Sequence, residues 1–229
     1  MIYGAPTIIT SGLVMHVDVA NSKSFVSGST KWNDLSGLRN SGSLSGSAGA
    51  VPGYSTLNGG CFNFGSNTGY IDCGNPSTLS VGNTISVFSW FIVTDPTLTV
   101  PIISKEVSGQ TTGWELISAS AGATATLRCR VAPTNLSATA TININTWYYA
   151  GFTLNGTDFR LYINGVLNNS STLSSPTADS SAGLWIGART PSATLLKGNV
   201  ATTSIYNRAL SAAEIAQNYN ALKARFGLS

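Results

Sequence analysis

Apolar and polar residues alternate with period two along most of this chain, which predicts a succession of short β-strands. In "LVMHVDV" Leu13, Met15, Val17 and Val19 share one face while His16 and Asp18 share the other, the pattern of a half-buried strand. In "TISVFSWFIV" apolar residues fill both faces toward the end, as in a central strand covered on both sides. "WELISASAGATATLRCRV" reads as a hairpin with Trp114, Leu116, Leu127 and Cys129 pointing inward and Glu115 opposite Arg128 in a surface ion pair. In "WYYAGFTLNGTDFRLYINGVLNNS" the pairs Asn155-Gly156 and Asn164-Gly165 tolerate positive φ and close two antiparallel turns, giving a β-meander. Phe159, Leu161 and Ile163 alternate there with Asp158, Arg160 and Tyr162. "LWIGART" and "KGNVATTSIYNRAL" supply two more strand-like runs, and the Gly- and Ser-rich joints at 36–49, 107–113 and 119–124 read as loops within one fold.

One segment departs from this period. "LSAAEIAQNYNALKARF", residues 210–226, predicts a helix: Ser211 is the N-cap, Glu214 completes a capping box, and Leu210 with Ile215 form a hydrophobic staple. Ile215, Tyr219, Leu222 and Phe226 make one apolar stripe, Lys223 and Arg225 suit the negative end of the dipole, and Gly227 can end the helix. The stripe must lie on something, so the expectation is a terminal helix packed on a sheet edge or rim, with Glu214 committed to capping.

Composition narrows the class. The 229 residues are 42% hydrophobic with five Trp, which excludes a disordered chain, and suit one large domain. Charged residues are only 9%, so Ser, Thr, Asn and Gly keep the surface wet. The twelve Lys and Arg are scattered and the net charge is +3, which predicts no nucleic-acid partner. No run of ~18 apolar residues predicts a membrane-spanning helix, and the N-terminus shows no cleaved-leader pattern. The three cysteines form no disulfide framework. Cys61 and Cys73 flank a hairpin-like "FNFGSNTGYID"; one register sets them opposite each other, within reach of a bridge, while the register that places Phe62, Phe64, Ile71 and Cys73 on the core face buries more apolar surface and separates them, and Cys129 reads as a small buried hydrophobe.

The ordered set "GLVMHVDVANSKSF", "KWNDLSG", "GGCFNFGSNTGYIDCG", "ISVFSWFIV", "WYYAGFTLNGTDFRLYINGVL", "WIGART" and "IYNRALSAAEIAQNYNAL" resembles the laminin-G-like, concanavalin A-like lectin/glucanase superfamily over residues 12–226. The resemblance implies an all-β, antiparallel jelly-roll β-sandwich with one short C-terminal helix, spanning residues 12–229 behind an N-terminal arm at 1–11. The chain is also similar to open reading frames of tailed bacteriophages, which implies a virion protein displayed on a capsid or tail.

Fold leaves function open, so candidate sites decide. Glycosidases of this family place carboxylates close together on one strand, whereas Glu106, Glu115 and Glu214 have no acidic partner two or three residues away, which argues against an enzyme. His16 near Asp18 has no nucleophile motif beside it. Family members bind calcium at an acidic "F-D-G-x-D-D-Y" hairpin, but "FGSNTGY" puts Gly65, Asn67, Thr68 and Gly69 there and leaves Tyr70 and Asp72; with Asp18 and Asp34 these are scattered ligands, and no cofactor is expected. Trp32 and Trp147 match positions that pack in the core or under loops, and Trp90, Trp114 and Trp185 alternate with the inward sets. Tyr70, Tyr162 and Tyr206 are the residues expected outside, as glycan or interface contacts. The expectation is a non-catalytic virion structural protein partnered by other virion proteins or copies of itself; the alternative is a lectin-like module that binds surface polysaccharide.

Overall fold

The computed structural model describes residues 7–46, 49–65, 69–106, 109, 111–178, 180–190 and 193–229. In chain order its strands are β1 (Leu13–Asp18), β2 (Lys31–Trp32), β3 (Gly42–Gly46), β4 (Gly53–Ser55), β5 (Cys61–Asn63) and β6 (Gly69–Asp72). There follow β7 (Thr84–Val93), β8 (Val100–Glu106), β9 (Gly113–Ala121), β10 (Thr124–Val131), β11 (Thr134–Ile142) and β12 (Tyr148–Asn155). The last are β13 (Asp158–Ile163), β14 (Val166–Thr172), β15 (Trp185–Ile186), β16 (Ala188–Thr190), β17 (Ala193–Leu195) and β18 (Gly198–Tyr206), before the helix α1 (Ala212–Leu222).

They form two antiparallel sheets and a small hairpin. Sheet A runs β14-β13-β12-β7-β18-β5-β4 with β1 also on β18; sheet B runs β11-β10-β9-β8-β15-β6-β3-β2; β16 and β17 pair with each other. The inner faces enclose one core in which Val17, Phe62, Ile71, Phe91, Trp114, Leu127, Phe152 and Ile205 meet, each at most 1% exposed. Period two is satisfied locally: Ile85, Val87, Phe91 and Val93 of β7 face inward, and Phe88, Trp90 and Ile92 face outward into a second cluster. β7 lies between β12 and β18, as a strand apolar on both faces requires.

The second cluster is the work of α1 and of the 3-10 turn Lys223–Phe226 that continues it. Ser211 and Glu214 make both arms of the capping box, and Leu210 and Ile215 are buried together. Phe226 stacks on Trp90 at 4.1 Å between ring centroids and Tyr219 at 5.7 Å. The helix thus covers the outer face of sheet A rather than its edge. Arg225 does not complement the dipole; its guanidinium bonds Asp18 (2.7 Å) and the carbonyls of Asn58 and Gly60 (both 2.6 Å).

Several local expectations change. "GSLSG" is not loop but β3, paired with both β2 and β6. The first meander turn is Gly156-Thr157, with Asn155 paired to Asp158, while Asn164-Gly165 closes the second with φ of 50° and 80°. "FNFGSNTGYID" is not a hairpin: β5 belongs to sheet A and β6 to sheet B. Phe62, Phe64, Ile71 and Cys73 do share the core, and Cys61, Cys73 and Cys129 are free and buried.

Candidate functional site

With α1 on sheet A, the outer face of sheet B is the broad face that no helix of the described residues covers. Strand register lines up one row across it: Lys31, Ser43, Asp72, Trp185, Ser104, Glu115, Arg130 and Asn135, each opposite the next. Side chains directly opposite in antiparallel strands share a face.

One half of the row is aromatic and hydroxylic. Trp185 is half-buried because Leu184 and Ile186 on either side of it point into the core. Its indole lies on Gly183, where an added Cβ would stand 2.9 Å from the ring, and its Nε1 is enclosed without a hydrogen-bond partner. Tyr70 is half-buried one step along β6 from Asp72, diagonal to Trp185. Beneath them Lys105, 1% exposed, donates to Asn75 Oδ1 (2.7 Å) and the carbonyls of Ser180 (2.8 Å) and Ala182 (2.9 Å), pinning the turn that leads into Trp185.

The other half is ionic. Glu115 is fully buried; Arg189 grips both its oxygens at 2.7 and 2.8 Å, and Ser104 donates to it at 2.8 Å. Glu106, also fully buried, accepts from Arg130. Burial and the adjacent Glu115 carboxyl push Glu106 up to about 7. The expected Glu115–Arg128 surface pair is therefore replaced by two buried pairs, because the turn falls at Gly122-Ala123 and sets Glu115 opposite Arg130. The glutamates that looked isolated in sequence stand together here. Both carboxyls are closed from solvent and bonded to arginine.

Of the tyrosines expected outside, only Tyr70 keeps partial exposure. Tyr206 is 0% and Tyr162 2% exposed, both under α1: the Tyr206 hydroxyl donates to Ile9 O at 3.0 Å and accepts from Asn218 Nδ2. Tyr162 does line a groove of ≈430 Å³ beside the first turn of α1, but the Arg160–Asp158 and Arg208–Glu214 pairs there satisfy one another. Trp185 was the residue missed, although the alternation in "LWIG" marks it as outward once Leu184 and Ile186 are inward.

This double sheet, sealed on one side by a capped helix, is matched by the model of the concanavalin A-like lectin/glucanases superfamily over residues 64–216. The chain belongs to that superfamily. Concanavalin A-like structures similar to it include domain 4 of AbnA, an extracellular arabinanase from Geobacillus stearothermophilus, in complex with arabinotriose. That domain is 17% identical, with 91% of this chain and 98% of that one covered and a TM-score of 0.70. Another is botulinum neurotoxin type C, whose cell entry depends on two ganglioside molecules: 15% identity, 93% of this chain and 52% of that one, TM-score 0.68. The binding domain of Paraclostridial Mosquitocidal Protein 1 is similar at 16% identity, 91% and 52% coverage and TM-score 0.65. The chain thus spans about half of these two toxin chains. No curated protein matches the sequence.

The calcium that the superfamily resemblance implies finds poor ligands. Asp18 is bonded to Arg225; Asp34 accepts from His16 N, Asn40 N, and the nitrogen and hydroxyl of Ser36; Asp72 accepts from Gly74 N. Asn67 and Thr68 lie outside the described residues, among which no group of three or more His, Cys, Asp or Glu is placed to hold a metal. No described helix is long and apolar enough to cross a membrane.

Proposed function

We propose that this protein is a non-catalytic carbohydrate-binding module that takes an oligosaccharide across the strands on the outer face of sheet B. The observation that carries the reading is Trp185, half-buried on a sheet face and lying against Gly183, with Asp72 directly opposite and Tyr70 on the diagonal. An aromatic face stacks on the C–H surface of a sugar, and adjoining carboxylate and hydroxyl groups take its hydroxyls. The arabinotriose complex of the AbnA domain supports the same class of ligand. A glycan array with the wild-type protein, W185A and Y70A tests it. Binding by the wild type should weaken ~10-fold or more in W185A and less in Y70A, both folded. Silence of the wild type across the array would sink the proposal.

The setting we propose is the surface of a phage capsid or tail, supported by the resemblance to phage reading frames and the sparse charge. Electron microscopy of assembled particles tests it, and a chain found only free in the host cytoplasm would refute it.

A further inference from the structure

The ionic half of the face carries more positive than negative charge. Arg128 and Arg130 project from β10 and Arg189 from β16, against Glu106 and Glu115. Arg130 and Arg189 are bonded to those carboxylates. Arg128 is not: it is half-buried between Ile117 on β9 and Ser137 on β11, and its Nε is closed from solvent without a hydrogen-bond partner. The enclosed Nε is shut to an anion as it is to water, so the terminal nitrogens, which carry no hydrogen bond and are not closed off, are the part of Arg128 that an anion can meet. Burial, then the repulsion of Arg189 and Arg130, lowers its pKa, while Glu106, up to about 7, keeps its proton in mildly acidic solution and adds no charge there. Trp185 stands three strand spacings from β10, about 14 Å, on the same face.

We propose that the ligand of this face is an anionic saccharide long enough to span that distance, its carboxylate or sulfate held by Arg128 while a ring further along the same oligosaccharide stacks on Trp185. This rests on the carbohydrate-binding reading above and names the ligand class. Arginine is suited to the task because its fork matches a carboxylate or sulfate bidentately, and the adjacent Arg130 and Arg189 add attraction although their own bonds are made.

The test uses the full chain and a panel of uronate- and sulfate-bearing oligosaccharides, each paired with its reduced or desulfated neutral counterpart. The wild type should favour the charged member of at least one pair ~10-fold or more, and added salt should weaken that binding. R128Q should abolish the preference, R128K should restore part of it, and both should melt close to the wild type because Arg128 makes no bond the fold needs. Binding confined to neutral members, or indifferent to charge, would overturn the anionic assignment and leave the carbohydrate reading standing. A preference that R128Q retains would overturn the role of Arg128. No binding anywhere in the panel would overturn both readings.

Discussion

Glu106 keeps its proton near neutrality because it is buried and its neighbour is another carboxyl. Its pKa rises from 4.5 to about 7 on folding, so its contribution to stability is full below pH 4.5 and lost as pH climbs through 7. Thermal melts of the wild type and E106Q from pH 4 to 8 should therefore diverge, the wild type losing stability relative to E106Q across that window; parallel curves would contradict the shift. His16 works the other way. Burial lowers its pKa from 6.5, so its contribution is present above 6.5 and lost as pH falls below it. Arg189 compensates a fully buried carboxylate, so R189M should cost about 3–5 kcal/mol in denaturant unfolding, with E115Q in the same background recovering part. These residues were legible only in part. Hydrophobic alternation gives the face of Glu115 but not its partner, which depends on where the turn falls, and a slip of the turn moved that partner from Arg128 to Arg130.

The helix shows how an element can be readable and its consequence not. Its start is written locally, in Ser211, Glu214 and the Leu210–Ile215 staple, and the structure keeps all of them. What it covers is a tertiary matter. Tyr162 and Tyr206 alternate with core residues and so read as outward, which they are, but α1 lies over them and turns that outer face into a second core. S211A should cost about 1 kcal/mol by removing one capping arm. F226A should cost more, about 3–5 kcal/mol, because it leaves a void against Trp90 and Trp147. Equilibrium unfolding of both variants checks the order; equal losses would mean that the helix is held by its cap rather than its stripe.

For the molecule as a whole, strand content, jelly-roll class and the terminal helix follow from periodicity, turns and family resemblance, whereas the pairing of distant strands does not. The placement of β5 and β6 in different sheets illustrates this, since both strands alternate correctly for a hairpin they do not form. Amide exchange should be slowest in β7, β12 and β18, the central strands of sheet A covered on both faces, and fastest at the short edge strands β2 and β4. Leu228 packs against the cluster beneath the helix. A tether following it thus grips the molecule by its back, so that on a bead or sensor chip Trp185 and Arg128 look out into the flowing sample, whereas coupling through Lys31, at the end of the row that holds Trp185, would glue that face to the support.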